Sequence, residues 1–128
     1  MKIDVRWEND ARTVIRYTYS GNWDWDDFYN TLERSDKDVQ QAEKFSVIVD
    51  FRDVTRFPSD AVLHLKRAAT MVNEKHEQII LITNNSSLAT LFNMFIKLYS
   101  RVGKRLRLVT SDEEAYALLK LPSEKPLT

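Results

Sequence analysis

The chain has 128 residues, with 19 Lys plus Arg against 19 Asp plus Glu, no cysteine and two glycines. That length suits one domain able to bury a core without covalent staples. The lack of cysteine excludes disulfides, thiolate metal sites and thiol nucleophiles. Balanced charge gives no global field toward nucleic acid or an anionic membrane. Phosphate-cradling loops need several glycines, so Gly21 and Gly103 alone cannot build a Walker or dinucleotide-binding loop. Met1-Lys2-Ile3-Asp4 leads into a polar, alternating segment with no signal-peptide pattern. No apolar run reaches bilayer-spanning length. The default expectation is a cytoplasmic protein with no transmembrane segment and no cofactor.

Lys2 to Trp7 alternates, with Ile3, Val5 and Trp7 on one side. Arg12 to Tyr19 alternates again, with Ile15, Tyr17 and Tyr19 opposite Val14, Arg16 and Thr18. The Asn9-Asp10 pair between them suits a tight turn, which predicts a half-buried antiparallel hairpin. Asp24 is a good N-cap for the next helix, with Asp27 able to reach back and Trp23 and Phe28 at the staple positions. Trp25, Phe28, Tyr29 and Leu32 form its apolar stripe. The stripe fades at Ser35-Asp36-Lys37-Asp38, where the helix is predicted to end or bend. Phe45 to Phe51 is mostly apolar, the mark of a strand buried on both faces. Ser59 to about Asn73 is predicted helical, with Val62, Leu63, Leu65, Ala69 and Val72 facing inward. Gln78 to Thr83 is a second buried strand, and Asn84-Asn85-Ser86-Ser87 a turn and cap cluster. Leu88 to Val102 is helical, with Gly103 expected as a left-handed residue closing it. Leu106 to Val109 is a short last strand. Ser111 opens a capping box with Glu114, ahead of a short helix to Leu119.

Residues 1–122 therefore read as one domain, and 123–128 as a frayed polar tail. The element order is β-β-α-β-α-β-α-β-α. Strands joined through helices run parallel, and the opening hairpin adds an antiparallel edge. The expected fold is α/β, a mixed, mostly parallel sheet of about five strands with helices packed against it.

This element order resembles that of the STAS domains, the anti-sigma-factor-antagonist family. The family signature is an apolar strand ending in a polar residue, a short loop with an apolar anchor, then Asp-Ser-Ser-Gly at a helix start. Here Val47 to Phe51 match the strand, Asp50 its polar end, and Val54 and Phe57 the anchors. Pro58, Ser59, Asp60 and Ala61 fall where Asp-Ser-Ser-Gly stands in the family, so only Ser59 is retained. The serine phosphorylated in sporulation and stress-response members falls on Asp60, and the family glycine on Ala61. Gly21-Asn22-Trp23 and Asp112 to Ala115 look like the divergent SpoIIAA-like group. The resemblance implies a STAS-like fold and a regulatory style of function.

Two turns at strand ends are the leading candidate sites, because loops and helix N-termini lie open there. Ser59 is either a phospho-acceptor or partner contact, or simply a cap. Asp60 is either a fixed negative charge in place of a regulated one, or an aspartate favoured by the helix dipole. Asp53 and Arg56, with Arg52, either present charges to a partner or pair among themselves at the surface. Asn84, Asn85 and Ser86 should adjoin this loop on the same rim, and serve either a small anion or peptide, or the turn itself.

The helix from Leu88 carries Leu88, Leu91, Phe92, Phe95, Leu98, Tyr99 and Val102 on its inward stripe, flanked by Met94 and Ile96. At about 100° per residue that arc spans roughly 200°, wider than one sheet face needs. Met94, Phe95, Ile96 and Leu98 are thus candidates for a homodimer or ligand face, against the alternative of a thick core. Lys97, Arg101, Lys104, Arg105 and Arg107 make a local basic cluster, without a nucleic-acid-binding signature. His64 and His76 lack the spacing of a helical metal pair, and no pair of carboxylates stands out for catalysis.

The expected function is non-enzymatic, a STAS-like regulatory domain that docks a protein partner through the loop and helix start around Ser59. The alternative is a small apolar-ligand or lipid-binding domain, since STAS-like folds resemble CRAL-TRIO lipid-transfer domains in topology. Phe92, Phe95 and Tyr99 would line its cavity. An enzyme of unknown type is a third reading.

Overall fold

A computed structural model describes residues 2–121, so the tail expected at 123–128 lies outside the described residues. The N-terminal alternation forms the antiparallel hairpin, β1 (Ile3–Trp7) and β2 (Val14–Tyr19), with Ile3 opposite Tyr19 and Trp7 opposite Ile15. Asn9 builds its turn. The side-chain oxygen accepts from the N–H groups of Thr13 at 3.1 Å and Val14 at 3.3 Å, and Arg12 takes left-handed backbone. Three more strands, β3 (Phe45–Asp50), β4 (His76–Ile82) and β5 (Leu106–Val109), join in parallel, in the spatial order β1-β2-β3-β4-β5.

The helices are α1 (Trp25–Gln40), α2 (Ala61–Thr70), α3 (Ser86–Leu98), α4 (Ser100–Gly103) and α5 (Asp112–Leu119). Among the described residues no helix is long and apolar enough to cross a membrane. Alternation along the strands sorts the side chains onto two faces. One face carries Ile15, Tyr17, Val47, Ile79 and Leu81, and packs with Trp25 of α1, Leu65 of α2 and Phe92 of α3. The other carries Val14, Ile48, Ile80 and Ile82, and packs with Ala115 and Tyr116 of α5. Ile15, Ile48, Ile80 and Ile82 are almost wholly inaccessible, each burial contributing about 1.5–3 kcal/mol.

The capping box on α1 forms as expected. Asp24 accepts from the Asp27 N–H at 2.8 Å, and Asp27 accepts from the Asp24 N–H at 2.9 Å. The helix does not stop at Ser35. That serine is buried against the sheet, its hydroxyl 2.9 Å from the Tyr17 hydroxyl, and the helix runs on to Gln40. Helix α2 starts later than predicted. Asp60, not Ser59, is its N-cap residue, in left-handed backbone (φ 67°) and without a side-chain cap bond. The helix is also rotated from the expected facing. Val62 and Leu63 are exposed, while Ala61, Leu65, Ala69 and Val72 pack against the core.

The predicted helix from Leu88 to Val102 is two helices. Asn85 caps α3 by accepting from the Leu88 N–H at 3.0 Å, and the chain breaks helical geometry at Tyr99. Gly103 is not left-handed. It lies inside α4, where a Cβ would run into the carbonyl of Ile96, so close approach is what requires glycine. At α5, Ser111 accepts from the Glu114 N–H at 3.1 Å, but the Glu114 carboxylate takes the Thr110 N–H and hydroxyl at 3.0 and 2.6 Å.

Candidate functional site

The largest consequence of this packing is a space under α2. The helix buries none of its ten residues fully, because its inward stripe is mostly alanine with Leu65 as the one large member. Between α1, α2 and the sheet lies a cavity of about 460 Å³. Its floor is the row Phe45, Val47, Val49 and Phe51 along β3, roughly 20 Å of strand at about 3.3 Å per residue. Leu32 and Leu65 contribute to its walls. Phe92 lines it, but Phe95 and Tyr99 do not; they stack on each other, ring centroids 4.7 Å apart. Tyr17 and Tyr19 border it, and burial pushes both phenols above their ordinary pKa, so they stay neutral.

The apolar end of the cavity is closed by an aromatic cluster. Phe51 stacks on Phe92 at 5.6 Å, and Phe57 meets both rings edge-on. Trp23 and Trp25 continue the cluster and fill core. Trp25 also ties α1 to the α2 entry, since its Nε1–H donates to the Ser59 carbonyl at 2.8 Å. His64 stacks on the Trp25 ring at 4.6 Å, and its Nδ1 lies 2.8 Å from the Tyr29 hydroxyl.

The two candidate turns share one rim. Strands β3 and β4 run parallel, and the Asn85 side-chain amide donates to the Thr55 carbonyl at 3.1 Å across the gap. Ser59, Asp60, Asp53, Arg56, Asn84 and Ser86 are exposed there, and Asn85 is half-buried. Asp53, Thr55, Arg56 and Phe57 line a shallow groove with Gly21 and Trp23. The basic and acidic groups of this loop do not simply pair with one another. Arg52 turns back to Asp50 at 2.7 Å and to Asp112 at 2.9 Å. On the expected dimer or ligand face, Leu98 is 67% exposed and Met94 47%. Ile96 is half-buried, and Phe95 belongs to the core rather than to that face.

Alternation places Arg16 on the α5 side of the sheet, and it is only 3% exposed there. Its guanidinium pairs with Glu8, with Asp50 at 3.0 Å and with Asp112 at 2.7 Å. Burial alone would lower the Arg16 pKa; hydrogen bonds and charge from Glu8 and Asp112 outweigh it and raise it. Burial would likewise raise Asp50 and Asp112. Hydrogen bonds and charge from Arg52 and Arg16 overcome it and hold both carboxyls below the usual range. The cluster joins the hairpin turn, the β3 end and the α5 start. Every carboxylate in it is held by an arginine, which suits a clamp better than an acid–base site. Among the described residues no group of His, Asp and Glu is placed to hold a metal ion.

The chain matches no protein-family model and no curated protein. The cavity under α2 and the rim around Ser59 are therefore read from their own chemistry.

Proposed function

We propose that this chain is a non-enzymatic, STAS-like binding domain that takes a small apolar ligand into the cavity between α1, α2 and the sheet. The observation that carries this reading is the volume and lining of that cavity. Ligand sites run from about 300 to 1,000 Å³ and are mostly apolar with a few polar groups, and the space of about 460 Å³ fits that description. The STAS-like element order adds a family style in which such a domain binds and signals rather than catalyses.

Titration with the neutral fluorophore N-phenyl-1-naphthylamine tests it. Wild type should bind one equivalent saturably, and Ala68→Trp, which fills the cavity from α2, should lose that binding while keeping its far-UV circular dichroism. Absence of saturable binding, or equal binding by Ala68→Trp, would overturn the reading.

A second reading, docking of a protein partner at the Ser59 rim, is favoured by Val62 and Leu63, which α2 exposes beside that turn. On this reading Asp53→Arg with Arg56→Glu abolishes the partner's binding and leaves fluorophore binding intact. Partner binding that survives the double reversal would count against it. A homodimer across Met94 and Leu98 would fail if the protein sediments as a monomer at high concentration.

A further inference from the structure

The cavity has two chemically different ends, and the difference follows from the fold. Parallel strands start at one edge of the sheet and finish at the other. The finishing edge carries the aromatic cluster of Phe51, Phe57 and Phe92. The starting edge, where α1 and α2 end, brings Ser35, Asp36, Gln40, Asn73, Lys75 and His76 to the cavity wall.

A register shift makes His76 part of that wall. Val47 pairs with Ile79, but Phe45 pairs with His76, so β4 spends three residues where β3 spends two. Three residues along a regular strand would reverse the face. The bulge restores His76 to the cavity side, beside the Phe45 ring at 4.7 Å.

The polar groups at this end have defined roles. His76 Nδ1 accepts from the Asn73 N–H at 3.1 Å. Burial lowers the His76 pKa, with Arg105's charge adding to it, which keeps the ring neutral at pH 7. A neutral imidazole with Nδ1 accepting carries its proton on Nε2 as a donor. Lys75 donates one N–H to the Gln40 carbonyl at 3.1 Å and retains two more. Arg105, whose Nη1 is buried without a hydrogen-bond partner among the described residues, does not line the cavity but acts on His76 through its charge. The one carboxylate in the wall, Asp36, accepts from the Gln40 amide at 2.7 Å. The end therefore offers donors on Lys75 and His76, with Lys75 the cationic group in the wall and the Asp36 carboxylate already engaged by Gln40.

We infer that the start of β4 is an anion-recognising head-group subsite, and that the cavity's ligand is a monocarboxylic acid with its carboxylate at Lys75 and His76 and its apolar body along β3. This rests on the cavity being a ligand site. It goes beyond it by specifying the head group and the direction in which the ligand lies.

Displacement of N-phenyl-1-naphthylamine from the full chain by decanoate, 1-decanol and decylamine separates the two claims. A charge-assisted hydrogen bond makes decanoate bind about tenfold or more tightly than decanol. Lys75→Gln and His76→Phe should each erode that preference by weakening decanoate alone, leaving decanol unchanged. Lys75 is half-exposed, and phenylalanine retains a ring against Phe45, so both variants should fold. Decanol equal to decanoate in wild type, or decylamine strongest of the three, would overturn the head-group assignment while the cavity reading stood. Failure of all three ligands and of the fluorophore would remove the cavity reading itself.

Discussion

Replacing Arg16 by methionine should be among the most damaging single changes in this chain. Arg16 is 3% exposed, and the Glu8 side chain beside it 2%. The three carboxylates do not lose equally. Asp50 and Asp112 keep Arg52, which reaches them at 2.7 and 2.9 Å. Among the described residues, the Glu8 carboxylate keeps only the Tyr116 hydroxyl at 3.4 Å. Breaking a buried ion pair from one side costs about 3–5 kcal/mol, largely from the charge left behind. One orphan rather than three places Arg16→Met near the low end, about 3 kcal/mol. With a urea m-value of about 1.5 kcal/mol per M, the midpoint falls by roughly 2 M. Adding Glu8→Gln to Arg16→Met removes the orphan charge and should return about 1 kcal/mol or more. Urea unfolding followed by circular dichroism reads both. A loss under about 1 kcal/mol for Arg16→Met, or a further loss on adding Glu8→Gln, would refute the account of this cluster as a buried clamp.

Three other outcomes follow from the same structure. Acid should lower the stability of the protein in two stages. His76 is lowered in the folded state, so its contribution is present above about pH 6.5 and fades as pH falls through its folded value. Asp50 and Asp112 are also lowered, so their contribution is intact above about pH 4 and is lost below that. Urea midpoints against pH should show both declines, with His76→Phe removing only the first. Gly103→Ala should cost about 2 kcal/mol, because the new Cβ meets the backbone of Ile96, which cannot swing aside. Asp24→Ala should cost about 1 kcal/mol by removing the α1 cap, a loss that thermal unfolding would register and that Asp24→Ser should largely spare.

Local chemistry was readable along the chain where residues answer to near neighbours. Asp24 and Asp27 announce the start of α1, and the unbroken apolar runs of β3 and β4 announce a sheet covered on both faces. The parallel neighbours then put the Ser59 and Ser86 turns on one rim, as connection rules require. Ser59 was harder, since serine is a common cap but the backbone enters α2 one residue later, through a left-handed Asp60. Arg16 reads as an outward residue of a half-solvated hairpin. Its partners lie 8, 34 and 96 residues away, so no local pattern reveals them. The cavity depends on how far α2 stands from the sheet, and the alanine-rich face of that helix was its only trace. The bulge that turns His76 inward has no residue signature at all, only a mismatch of spacing between two strands.

The claim that matters most is that the space under α2 accepts an apolar guest, and methyl resonances measure this directly. With Ile, Leu and Val methyls labelled, N-phenyl-1-naphthylamine should shift Leu32, Leu65, Val47, Ile79 and Leu81 by ring currents. Ile48, Ile80 and Ile82, on the opposite face, should stay nearly still. Shifts spread evenly over both faces, or none at saturating fluorophore, would contradict the account.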